Sequence, residues 1–172
     1  MKKGSIIDIV VWVVGAFLTI LILGGLLYMF GILNTELGDI GQVAGMNMTS
    51  ITEDVVGPAA QGLAIWLPRI AVIILVMSGL SILIHNFLVK AHPVFIGTYV
   101  MMTIASVIIS AYVSNQYMDL LSNEVLGPTL ATFGGANLIM YWLPYWTAII
   151  GVFGFIILFI GAIRDRTGGI QV

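Results

Sequence analysis

The stretch Ile6–Leu33, IIDIVVWVVGAFLTILILGGLLYMFGIL, decides the fold, because from Ile9 to Leu33 it carries no charged side chain. A helix rises 1.5 Å per residue, so about 20 apolar residues cross the ~30 Å hydrocarbon layer of a bilayer. Lys2 and Lys3 precede the stretch in the manner of a signal peptide, but the apolar core of a signal peptide is only about 7–15 residues long. No A-x-A-like cleavage pattern follows, and the stretch reads as a retained membrane anchor. It does not alternate apolar and polar residues with a period of two, which argues against a transmembrane barrel. A helix is the remaining way to satisfy a spanning backbone.

Three more stretches read the same way, giving spans of about 6–33, 67–89, 93–113 and 142–163, with outer connections over 34–66 and 114–141. The expectation is an all-α, polytopic transmembrane protein, with residues 1–172 forming a single integral membrane domain. Composition agrees: 60% of the 172 residues are hydrophobic and 8% charged, whereas a soluble domain is roughly a quarter charged. A net charge of −2 with no basic tract gives no reason to expect a nucleic-acid partner. The absence of cysteine removes disulfides, thiolate chemistry and cysteine-held metals.

Charge placement predicts orientation. Lys2, Lys3, Lys90, Arg164 and Arg166 fall on one side of a four-span arrangement, and Glu36, Asp39, Glu53, Asp54, Asp119 and Glu124 on the other. The positive-inside rule then makes both termini cytoplasmic. Four of the five prolines lie in two related segments, GPAAQGLAIWLPR from Gly57 and GPTLATFGGANLIMYWLPY from Gly127. They predict two similar hairpins arranged as a parallel repeat, with Pro68 and Pro144 in the first turns of their helices, where the missing N–H costs little. Pro58 and Pro128 would each open a short preceding helix or turn. Trp66, Tyr141, Trp142, Tyr145 and Trp146 are expected together at the outer interface, and Trp12 near the inner one.

The outer connections mix apolar and small polar residues, so they should lie along the interface, fold over the helix ends or be covered by a partner. Ser50-Ile51-Thr52-Glu53 has the spacing of a capping box opening a short helix, as does Ser5-Ile6-Ile7-Asp8.

Few side chains in the spans suit catalysis. Asp8 reads as a helix cap, since a carboxylate is stabilised at a helix N-terminus. His85 and His92 flank a tight inner connection and read as interface residues, although two histidines from adjacent helices can ligate a haem. Arg69 is the one basic residue placed at the outer side. It is expected to snorkel to an outer carboxylate, with an anion-selecting role at a pore mouth as the alternative. No hydrolase triad, zinc-helix motif or phosphate loop is present, so no enzyme, cofactor or metal is expected.

The spans do carry packing chemistry. Thr103, Ser106, Ser110 and Ser114 recur every three or four residues along one helix face, and Gly151, Gly154 and Gly161 form a comparable seam. Small residues at this spacing let membrane helices approach closely. Ser78, Gly79 and Ser81 supply further close-approach sites. Compact, cysteine-free chains with so little charge are similar in composition, though in no motif, to membrane proteins of lipid-containing viruses and to accessory subunits of respiratory complexes. The function expected is therefore structural: assembly in the bilayer with copies of itself or with other membrane or coat proteins. The membrane would be a prokaryotic cytoplasmic or a viral internal one. The alternatives are a passive channel or transport subunit and a haem-bearing electron-transfer anchor.

Overall fold

The computed structural model describes residues 7–40, 42–43, 46–88 and 93–167. Four of its helices are long and apolar enough to cross a membrane. Helix α1 (Asp8–Ile40) ends in a turn bearing a two-residue antiparallel pairing of β1 (Gln42–Val43) with β2 (Met46–Asn47). A short α2 (Met48–Ile51) and a π-helical turn (Thr52–Val56) lead without interruption into α3 (Gly57–Leu88). Helix α4 (Pro93–Leu121) follows, then two short helices, α5 (Gly127–Ala131) and α6 (Gly134–Tyr141), and finally α7 (Leu143–Thr167).

The four long helices close a ring in which α1 packs on α3, α3 on α7, α7 on α4 and α4 on α1. The two most extensive contacts are α4 with α7 and α1 with α3. Both pairs are antiparallel. Asp8 lies opposite His85 and Gly38 beside Thr52, while Tyr99 meets Gly154 and Ser114 meets Met140. The buried positions of α1 (Ile9, Trp12, Val13, Ala16, Ile20, Gly24 and Leu27) recur every three or four residues, the stripe of a helix with one face in a core. The opposite face (Val11, Val14, Leu18, Ile22 and Leu26) is exposed and equally apolar. An all-round apolar helix is stable only where its outer face meets lipid or protein.

Several boundaries depart from the sequence-based expectation. Helix α1 does not stop at Leu33 but runs on to Ile40. The segment after Leu33 is polar, yet Gly38 packs against Thr52, and packing against the returning chain stabilises a helix more than local propensity does. Pro68 is not in a first turn; it lies inside α3. The residues before it, Ala-Ala-Gln-Gly-Leu-Ala-Ile-Trp-Leu, contain only one weak helix former. The helix therefore crosses Pro68 at the loss of one backbone hydrogen bond, a loss that membrane helices tolerate. Pro58 accordingly opens α3 itself. In the second copy Pro144 does sit in the first turn of α7, and Pro128 opens the short α5. Six additional residues, with Gly-Gly among them, break that copy into three helices. The short helix α2 exists, but Asn47 caps it: its side-chain oxygen accepts from the Thr49 and Ser50 amides at 3.1 and 3.4 Å. Ser50 is already inside the helix. Ser5 lies outside the described residues.

The segment Gly127–Tyr141 does not lie loosely over the helix ends. It inserts Leu130, Phe133, Ala136 and Met140 into the core at the end of the bundle where α4 stops and α7 begins, each with at most 1% of its surface exposed. Leu130 rests on Gly24 of α1, and Gly135 lies against Val72 of α3. Beyond Gly24, α1 continues for sixteen residues, about 24 Å. The α1–α3 hairpin thus rises well past this plug and carries Glu36, Asp39, Glu53 and Asp54 on its projecting part.

Candidate functional site

The small-residue positions of α4 and α7 meet one another. Ser106 and Ser110 are fully buried, Ser114 is nearly so and Thr103 is half-buried. Gly151 lies directly under the Thr103 side chain, and Gly154 under the Tyr99 hydroxyl and the Asn86 amide, with no room at either glycine for even a methyl group. The absence of a Cβ is what lets α7 settle onto α4 at this depth. Gly161 is not part of the seam, since nothing lies within 4 Å of where its Cβ would be. The hydroxyls of Thr103, Ser106 and Ser110 donate to the carbonyls of Tyr99, Met102 and Val107 in their own helix, at 2.9, 2.7 and 2.8 Å. They make the face small and satisfied but supply no bond across it. The cross-helix bond at the inner end comes from Asn86, whose amide donates to the Tyr99 hydroxyl at 3.2 Å, with both residues 1% exposed.

At the outer end the polar contacts do cross between elements. The Ser114 hydroxyl donates to the carbonyl of Met140 at 2.8 Å and lies 3.3 Å from that of Tyr141. Tyr117, fully buried, donates to Oδ1 of Asn137. The Asn137 amide donates to the carbonyls of Leu130 at 3.0 Å and Ala131 at 3.4 Å. These carbonyls end α5, and that of Leu130 also accepts from the Phe133 amide at 3.0 Å. Asn137 therefore closes the broken backbone of the plug and joins it to α4. Neither Asn137 nor Tyr117 stands out in the sequence. The one available signal is an amide side chain following Gly-Gly inside an otherwise apolar run.

The outer aromatic residues do not form one cluster. Trp66, Trp142 and Trp146 are all substantially exposed. Trp146, however, shares a recess with Val76, Gly79 and Leu80 of α3. Val76 lies ten residues past Trp66, about 15 Å along the helix. The two Trp-Leu-Pro segments consequently sit at different heights, because α3 starts further out than α7. Arg69 is exposed and pairs with no carboxylate; its guanidinium lies over the Trp66 ring, 5.4 Å from the centroid. Trp66 lies one turn away on the same helix, and a cation over an indole face gains about 0.5–1 kcal/mol at an exposed site. Trp12 is not an interface ring. It is buried between α1 and α3, where Nε1 donates to the Ser78 hydroxyl at 3.0 Å and lies 3.3 Å from the Leu75 carbonyl. Gly79 packs on the same ring from the α3 side.

At the opposite end of the α1–α3 pair, Asp8 occupies the first turn of α1, and one carboxylate oxygen stands 3.8 Å from Nε2 of His85. This is the only ion-pair contact among the described residues. His92 lies outside the described residues. Among those described, no three His, Cys, Asp or Glu side chains are grouped as a metal site. Comparison with protein-family models, with curated proteins and with solved structures finds no match to this chain.

Proposed function

We propose that the chain is a structural component of a membrane-embedded assembly, without catalysis of its own. Its four spans form two similar hairpins, α1–α3 and α4–α7, running in parallel with both termini cytoplasmic. The membrane is a prokaryotic cytoplasmic or viral internal one, and the partners are copies of the chain or other membrane or coat proteins. The observation that carries this reading is that the fully buried polar side chains of the four-helix core are consumed by packing. Ser106, Ser110 and Thr147 bond back to their own helices, Asn86 bonds to Tyr99, and Asn137 seals the plug. The serine face was the best candidate for a conducting wall. Ser106 and Ser110 have no exposed surface, which favours a scaffold over a channel. The segregation of acidic and basic side chains supports the orientation, and the close pairing of α1 with α3 and of α4 with α7 supports the hairpin repeat.

The test is size determination of the full chain purified in mild detergent, alongside conductance in planar bilayers. A discrete oligomer, or a stoichiometric complex with a co-purified membrane protein, is expected, with no conductance. A monodisperse monomer that conducts ions would overturn the scaffold reading.

A further inference from the structure

Between α1 and α3, at the Asp8–His85 end, runs an open groove of about 380 Å³. It extends from Asp8 to Thr19, eleven residues or about 16 Å along α1. Its polarity is graded. At the far end the polar atoms are spent: the Thr19 hydroxyl donates to the Gly15 carbonyl at 2.8 Å, and Trp12 Nε1 and Ser78 bond to one another and to Leu75. The rest of that end is lined by Gly15, Ala16, Ile74 and Leu75. At the mouth the polar atoms are unspent. The Ser81 hydroxyl is exposed, and among the described residues His85 Nε2 is shielded without a hydrogen-bond partner and the Asp8 carboxylate has only His85, beyond hydrogen-bond distance at 3.8 Å. The groove is thus amphipathic, with an accessible carboxylate and hydroxyl at its mouth and an apolar remainder, and an occupant with a polar head and an apolar tail matches it.

We infer that this groove holds one acyl chain of a phospholipid whose headgroup bears a primary ammonium. The ammonium meets the Asp8 carboxylate, and the phosphodiester oxygens accept from the exposed Ser81 hydroxyl. A helix from a second copy fits less well. A helix about 10 Å across and 16 Å long fills roughly 1,300 Å³, several times the groove. The inference rests on the chain lying in a bilayer and on nothing further in the proposed function.

The test is native mass spectrometry of the full chain in mild detergent with equal amounts of palmitoyl-oleoyl phosphatidylethanolamine and phosphatidylglycerol. Wild-type protein should retain the ethanolamine lipid about tenfold over the glycerol lipid, the scale of one charge-assisted hydrogen bond. Asp8→Asn should abolish that preference. Gly15→Leu is the second variant, chosen because nothing lies within 4 Å of the position its Cβ would take. The side chain of leucine there projects from an unobstructed Cβ into the groove, and leucine favours the helix over glycine. It should lower retention of both lipids about tenfold while leaving thermal stability in detergent unchanged. Equal retention of the two lipids by wild type overturns the inference. So does undiminished binding in Gly15→Leu, or a change of oligomeric state there in place of lipid loss. A monomer that still prefers the ethanolamine lipid would defeat the assembly reading and leave the groove assignment standing.

Discussion

At the scale of single residues, it matters whether a polar side chain bonds across an interface or back to its own helix. Ser110 bonds to Val107 in its own helix, so the seam needs its small volume and not its hydroxyl. Ser110→Ala should therefore shift detergent unfolding by no more than about 0.6 kcal/mol, the mean for a membrane helix hydrogen bond. Ser110→Leu forces bulk into a fully buried position and should cost about 1–3 kcal/mol. Equal stability of the two variants would show that the seam is not close-packed. Asn137 is the opposite case, since its side chain serves Tyr117, Leu130 and Ala131 together. Asn137→Leu removes the acceptor of the buried Tyr117 hydroxyl, and a buried polar group left without a partner costs about 1–3 kcal/mol. It should lower the melting temperature more than any serine-to-alanine change on α4, and a neutral outcome would mean that water replaces the amide. Arg69 lies over an exposed indole, so Arg69→Lys should be nearly silent and Arg69→Leu should cost about 0.5–1 kcal/mol in the same assay.

At the scale of elements, the two Gly-Pro…Trp-Leu-Pro segments show one pattern folding in two ways. Pro68 interrupts the hydrogen-bond ladder of a continuous helix, whereas Pro144 sits where no ladder bond is missing. Pro68→Ala should raise thermal stability by restoring the bond to the Ala64 carbonyl, and Pro144→Ala should leave it unchanged. A loss of stability in Pro68→Ala would show that α3 depends on a bend there. The same contrast explains which elements were legible in the sequence. The spans were readable because apolar length is a local property. The small faces of α4 and α7 were readable because helical spacing is too. Helix formation over residues 34–40 was not, since Gly38 is held by Thr52, fourteen residues on. The plug was half-visible: Leu130, Phe133, Ala136 and Met140 recur at helical spacing, but nothing local shows that they point into the bundle. Asn137 depends on partners in two other elements, and Trp12 on Ser78 across the α1–α3 pair. Contacts of that range leave no mark on either stretch alone.

At the scale of the whole molecule, the proposed orientation is open to a direct measurement, because the chain has no cysteine. Single cysteines at Asn47 and Asn123 should react with an impermeant maleimide from outside intact cells, and those at Lys3 and Thr167 only after permeabilisation. External labelling at Thr167 would require an odd number of spans. The unequal helix lengths carry a consequence of their own. The charge-free part of α1, Ile9–Leu33, has 25 residues, about 38 Å, while the apolar part of α7, Leu143–Ile163, has 21, about 31 Å. Leu26, Met29, Ile32 and Leu33 keep an apolar flank exposed on α1 beyond the level of Gly24 and the plug. A flat bilayer of uniform thickness cannot match both sides of such a body. Either the hydrocarbon thickens beside α1, or the molecule leans so that its long side lies more obliquely, each at a fraction of a kcal/mol per Å. One copy perturbs the lipid around it only slightly. Were copies to lean in register, as the proposed assembly would have them, the mismatch would add up to a preferred thickness and a direction for the surrounding lipid.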